Sequence, residues 1–372
     1  MRIINIAILF TVLLVPEINA QPGTFQELGI KGIELAHDMQ FDEADKLFDK
    51  MIRMKPDNAF GYLLKLSSFS LMAEIKGIEK EQEEYFKDLT LKTINIAEGM
   101  LKKNKHDTDA LFYLGCAYGN LGVYYTDTNS WLRAYWNGRK GKNCLEKVVE
   151  KDPDYYDAYL GLGMYHYYAA VLPKIVRPLS FLLGIEGDRV KGIDEVKLAL
   201  SKGTYARGSA KYFLAKSVYL KEENYEAALP LYKELITDYP HSFSLQMQLA
   251  ICYRNLKKYD LSIQTIKNSS QSQSLNEYPY LRSQLYYHLG KTYSEMNDFD
   301  QAVSAFKNAC KIARSKSGEE SWVYARSLFS IGYSYEMMGS LDKALKYYSQ
   351  INEEDDKSAF RDAQARIKKI SN

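Results

Sequence analysis

The side chains best suited to grip a ligand crowd into one stretch, VYYTDTNSWLRAYWNGRKGK at 123–142: Tyr124, Tyr125, Trp131, Tyr135, Trp136 and Arg139. Aromatic rings beside arginine are the usual anchors of a binding hot spot, because they bury much surface at little entropic cost. Catalytic constellations are not present. There is no HExxH, no GxGxxG after a strand, no phosphate-cradling GxxxxGK(S/T) and no GxSxG. His37, His106, His166, His241 and His288 are scattered, with no second ligand three or four residues on, so no metal site is expected. His166 falls where other units carry tyrosine, and it reads as a packed, hydrogen-bonded histidine or as a groove-lining one. The chemistry expected is therefore recognition, with no catalytic residue, cofactor or metal.

Those residues must be positioned by helices, and the clearest helical unit is Tyr286 to Ala309. Large residues at Tyr286, Leu289 and Tyr293 surround Gly290; Asn297-Asp298 breaks the helix; Ala302, Phe306 and Ala309 follow. Gly290 and Ala302 are twelve residues apart, as are Gly32 and Ala44, Gly332 and Ala344, Lys216 and Ala228, and Ala250 and Ser262. A small residue on each helix lets a pair cross closely while large neighbours fill the flanks. Turns are expected at Glu223-Asn224, Lys257-Lys258, Asn297-Asp298 and Gly339-Ser340, and Pro56, Pro153 and Pro240 sit just past second helices. This pattern resembles the tetratricopeptide repeat, a helix-turn-helix unit of about 34 residues. The resemblance implies an all-α, right-handed superhelical solenoid. The expected divisions are a signal peptide at 1–20, N-terminal hairpins at 21–106, two hairpins with insertions at 107–204, four regular units at 205–352 and a capping helix at 353–372.

Two units break the twelve-residue rule by insertion. Gly115 and Gly141 are 26 apart, and Gly163 and Gly192 are 29 apart. The first excess is the aromatic stretch above. The second, around 171–190, holds Pro173 and Pro178, which interrupt any helix, and an apolar run with Lys174 and Arg177 at its edge. It reads as an amphipathic piece laid on neighbouring repeats, or as an interfacial helix or lid with Arg177 facing headgroups or a carboxylate. Gly187-Asp188 supplies a turn and N-cap for a helix starting at Arg189. The segment 157–203, with Gly184, Gly187, Asp188, Arg189 and Gly192 in its turn, resembles the eukaryotic tetratricopeptide-39 and inclusion-body-clearance proteins. That resemblance implies an interaction protein linked to lipid surfaces or protein quality control.

Basic and acidic residues nearly cancel, 49 against 47, which gives no nucleic-acid or membrane footprint in the net balance. The start, MRIINIAILFTVLLVPEINA, has Arg2, an apolar core from Ile3 to Val15, and Ala20 before Gln21. The core is shorter than the roughly 20 residues of a spanning helix, so a cleaved export signal is expected, delivering the chain to a periplasm or the exterior of a Gram-negative-type cell. Cys116, Cys144, Cys252 and Cys310 lie inside predicted helices without CxxC spacing, which argues against a disulfide framework; Cys116 and Cys144, in one hairpin, are the pair that can meet.

The function expected is a non-catalytic scaffold gripping a protein or peptide along its concave surface. First helices line that surface in such arrays, which puts Tyr113, Tyr159, His166, Tyr212 and Gln246 there, beside the aromatics of the first insertion and Arg177. The alternatives are a membrane-peripheral adaptor that uses 171–185 and, further off, a hydrolase between the insertions.

Overall fold

The computed structural model describes residues 23–76, 80–127, 130–172, 187–270, 273–316 and 322–371. The expected signal peptide and Arg177 lie outside the described residues. Among those described, the chain is helical and strand-free. The helices are α1 (Phe25–His37), α2 (Phe41–Met54), α3 (Ala59–Lys76), α4 (Lys80–Lys103), α5 (Thr108–Asp127), α6 (Trp131–Lys151), α7 (Ala158–Ala170) and α8 (Arg189–Lys202). Then come α9 (Arg207–Phe213), continued by a π-helical turn at Leu214–Leu220, α10 (Tyr225–Asp238), α11 (Phe243–Asn255), α12 (Tyr259–Ser270), α13 (Pro279–Glu295), α14 (Phe299–Lys316), α15 (Trp322–Met337), α16 (Leu341–Tyr348) and α17 (Lys357–Ser371). Consecutive helices pack as hairpins and each hairpin packs on the next, which makes a helical repeat solenoid.

Local chemistry explains where the helices begin and turn. Thr24 and Glu27 form a capping box on α1. Asp188, Asn224 and Asp298 each accept a hydrogen bond from the amide three residues on, at 3.0, 3.2 and 3.2 Å. In five hairpins the turn passes through a left-handed residue: Met39, Glu223, Lys257, Asn297 or Gly339, with φ between 58° and 74°. The next amide then donates back to a carbonyl five residues earlier, Leu35, Tyr219, Tyr253, Tyr293 or Tyr335, at 2.8 to 3.0 Å. This is a Schellman closure, which satisfies a carbonyl that the helix end leaves orphaned.

The small residues are small because something lies against them. A β-carbon on Gly32, Gly290 or Gly332 would come within 2.3, 2.6 or 2.6 Å of the ring of Phe48, Phe306 or Tyr348, each sixteen residues downstream. The long hairpins keep this contact across their insertions: Gly115 faces Leu145 and Gly163 faces Val196. Gly141 abuts the Gly115 carbonyl, and Gly192 abuts the Gly163 carbonyl and the Tyr167 amide, so backbones touch where the helices cross. Lys216 occupies a small-residue position, and the helix widens into the π-turn there. Burial lowers its ammonium pKa to about 8.

The first insertion lengthens both helices of its hairpin. At 20 and 21 residues, α5 and α6 outreach α1 and α2, at 13 and 14, and the added turns of α5 pack against the start of α4. Gly187 lies against the backbone of Ala169 and Ala170 at the end of α7.

The array also curls back on its own beginning. The Asp38 carboxylate accepts from the backbone N–H of His241 and meets its Nδ1, both at 2.7 Å. His37 Nε2 lies 3.1 Å from Ser209 Oγ and its ring stacks on Tyr239 at 5.2 Å. Tyr278 donates its hydroxyl to the Met39 carbonyl at 3.2 Å. Behind this clasp, Phe60 packs edge-on against Tyr205, and Leu71 and Ile75 of α3 share with Tyr212, Leu235 and Leu245 a void of about 10 Å³, room for one water. The first repeats thereby share one apolar core with Phe243, Met247, Leu281 and Leu285.

Candidate partner-binding site

Each residue expected on the concave face has partners within the chain. Tyr113 is buried, stacked on Phe60 at 5.2 Å. His166 is buried with Nδ1 2.6 Å from a Glu195 carboxylate oxygen, the packed and hydrogen-bonded state. Gln246 is half-buried; its amide donates to the Pro240 carbonyl and its side-chain oxygen accepts from Ser269. Tyr212 lines the one-water void. Tyr159, half-buried, donates to the Pro153 carbonyl at 3.1 Å. Of these, Tyr212 faces the first repeats across the curl, beside Leu71 and Ile75 of α3, whereas the partners of Tyr113, Tyr159, His166 and Gln246 belong to their own or adjacent hairpins.

The aromatic cluster of the first insertion divides. Tyr124 is buried rather than exposed, because α4 packs on it: Phe86 lies 5.1 Å away, and Glu83 accepts from its hydroxyl. Tyr125 and Tyr135 are half-buried beneath arginines, Arg133 at 5.6 Å and Arg139 at 6.0 Å from the respective rings. Trp131 is half-buried, and Trp136 is 52% exposed.

An open concavity lies in the C-terminal repeats. A groove of about 580 Å³ runs along α13, α15 and α17, and its lining includes Tyr287, Lys291, Phe329, Tyr333, Asp362 and Arg366. Two of its cations have internal partners: Arg326 binds Asp356 at 2.7 Å, and Arg366 binds Glu336 at 3.0 Å. Lys291 has no carboxylate within bridging distance among the described residues. Burial, reinforced by Arg254, lowers its pKa against the opposing pull of Glu295. Behind it His288 is held neutral, near pKa 3, by burial and then by Arg254 and Lys291; its Nδ1 lies 3.1 Å from Arg254 Nη1. Such a groove offers an ammonium, Lys291, and a carboxylate, Asp362, neither bridged among the described residues, beside rings of Tyr287, Phe329 and Tyr333; the ammonium and rings suit an extended segment carrying an acidic group and an apolar side chain.

Sequence reasoning missed these residues although a signal was present. Tyr287 and Phe329 stand three before their repeat's glycine, and Lys291 and Tyr333 stand one after it. Reading those two offsets from Gly290 and Gly332 finds the lining; the expected Tyr159, Tyr212 and Gln246 stand four before their small residues, one step further around the helix.

Among the described residues, no three His, Cys, Asp or Glu side chains converge on a metal position, and no helix is long and apolar enough to cross a membrane. The four cysteines are free thiols, with burial pushing Cys116, Cys252 and Cys310 up to about 12.

Comparison with known families agrees with this repeat architecture. Residues 242–315 and 326–358 match tetratricopeptide repeat family models. In fold the chain is similar to the APC/C hetero-tetramer Cut9-Hcn1, at 15% identity and a TM-score of 0.57, covering 92% of this chain and 55% of that one. It is similar also to YrrB, a TPR protein with an unusual peptide-binding site (18% identity, TM-score 0.39, 59% of this chain and 94% of that one), and to Pseudomonas aeruginosa pilF (17%, 0.42, 63% and 89%). No curated protein sequence matches the chain. The chain thus carries tetratricopeptide repeats in its C-terminal part, within a helical repeat solenoid.

Proposed function

We propose that this protein is an exported, non-catalytic scaffold that holds an extended, acidic protein segment in the groove of α13, α15 and α17. The observation that carries the reading is Lys291, an ammonium without a carboxylate partner among the described residues, set in an aromatic-lined concavity of about 580 Å³. A partly desolvated cation gains most when a carboxylate arrives, at about 1.5–3 kcal/mol for a charge-assisted hydrogen bond. Export is supported by the apolar run Ile3 to Val15 ending before Ala20.

Display selection of random peptides on the full chain, followed by titration of the winners, tests the groove. Acidic peptides with an apolar neighbour are expected, losing roughly tenfold or more in affinity against Lys291→Glu and against Phe329→Ala. Selection repeated on Lys291→Glu should favour basic peptides. If winners bind both variants as they bind the native chain, the groove is not the site. Sequencing the N-terminus of the protein from its native cell tests export: Gln21 is expected, and a retained Met1 sinks it.

A further inference from the structure

One face of α6 sets exposed apolar side chains beside cations. Leu132 and Trp136, one helical turn apart, are 53% and 52% exposed, and Val123, at the far end of α5 in the same hairpin, is 44% exposed. Around them on the exposed side of α6 stand Arg133, Arg139 and Lys140. From Trp131 through Leu145 there is no acidic residue, and the first that follows, Glu146, is engaged by Lys142 at 2.5 Å.

What holds these cations is aromatic. Arg133 lies over Tyr125, Arg139 over Tyr135, whose hydroxyl accepts from Nη1 at 2.8 Å, and Lys140 over Tyr118 at 5.0 Å. No carboxylate pairs with any of the three among the described residues. A ring face orients a cation without cancelling its charge, so three positive charges are fixed in place and left unneutralised. The half-buried Tyr118, Tyr125 and Tyr135 serve here as supports for the charges.

We propose that this face of α6 docks on an anionic lipid surface, with Trp136 and Leu132 entering the headgroup boundary and Arg133, Arg139 and Lys140 on the phosphates. Charge complementarity selects an anionic occupant. Exposure selects a surface over a peptide: Leu132 and Trp136 stand about half exposed on an open helix face, and a peptide gains its specificity from a walled groove such as that beside Lys291. Tryptophan with an apolar neighbour, ringed by basic residues, is the composition of interfacial helices, where the indole settles at headgroup level and each cation adds attraction to anionic lipid. This contact is independent of the groove and of any role for 171–185.

The test is co-sedimentation of the full chain with large unilamellar vesicles, either phosphatidylethanolamine with phosphatidylglycerol or phosphatidylcholine alone, at low and high salt. Binding is expected to the anionic vesicles only and to weaken with salt. It should fall roughly tenfold or more in Arg133→Gln/Arg139→Gln/Lys140→Gln, and fall also in Leu132→Ser/Trp136→Ser. Circular dichroism verifies that these surface variants stay folded. The proposal is overturned if neutral vesicles bind equally, if no vesicle binds, or if either variant binds like the native chain. A soluble polyglutamate peptide that binds this face while vesicles do not would assign it to an acidic protein instead.

Discussion

Asp38 and His241 are joined across 203 positions of sequence, the carboxylate accepting the His241 backbone N–H at 2.7 Å and meeting its ring Nδ1 at 2.7 Å. Asp38 is buried while the histidine ring is largely exposed, so the backbone contact is the more protected half.

That asymmetry ranks two substitutions. Asp38→Ala leaves a protected amide unpaired and should cost about 1–3 kcal/mol, with a larger radius of gyration in solution scattering as the clasp loosens. His241→Ala keeps its backbone N–H and should cost less than about 1 kcal/mol. Equal losses in urea denaturation would show that the ring, not the amide, holds the clasp.

The glycines divide by what lies against them. Gly192→Ala places a methyl 2.7 Å from both the Gly163 carbonyl and the Tyr167 amide, which cannot rotate away, so α7 and α8 must separate, at about 2–3 kcal/mol. Gly99→Ala, on α4, meets nothing within 4 Å and should stabilise by about 0.5–1 kcal/mol through helix propensity. Thermal unfolding of the two variants should move in opposite directions.

Glu223 and Lys257 carry side chains where the backbone is left-handed, at φ 60° and 58°. Replacing either by glycine removes a steric cost of about 1 kcal/mol and should raise the unfolding midpoint. The same change at Lys258, one residue on, should not, and a matching gain there would place the effect outside backbone strain.

Two histidines make stability fall toward acid. Burial holds His37 near pKa 4, and burial with Arg254 and Lys291 holds His288 near 3, against about 6.5 in the unfolded chain. Both are neutral when folded, so their contribution is complete above about pH 6.5 and is lost as pH falls toward those lower values. Each adds a slope of up to about 1.4 kcal/mol per pH unit. Urea midpoints from pH 7 to 5 should drop less steeply in His288→Gln than in the native chain; parallel curves would remove His288 from this account.

The repeat was legible because its causes are local. A small residue and a ring sixteen positions later, or a left-handed residue seven positions after Gly290, are steric requirements written within one hairpin. The turns at Asn297-Asp298 and Gly339-Ser340 follow from them. Burial of Tyr124 was hidden because it depends on Phe86 and Glu83, in a stretch where repeat spacing is obscure. The clasp left no spacing at all: Asp38, His241, Met39 and Tyr278 are ordinary residues whose meeting depends on the accumulated curvature of the hairpins between them. That curvature brings Leu71 and Ile75 of α3 against Tyr212, Leu235 and Leu245, a contact that repeat position alone does not announce.

The clasp also changes how the chain can come apart. An open array of repeats touches only its neighbours and frays from both ends. Here the first hairpin has a second set of neighbours near Ser209, His241 and Tyr278, so losing it means breaking contacts with the middle of the chain as well. Fraying should then be one-sided, with hydrogen exchange fastest from α17 inward and slow in α1 to α3. The free end is the one that bears the Lys291 groove, so the part of the molecule most able to adjust its curvature is the part that has an opening to adjust.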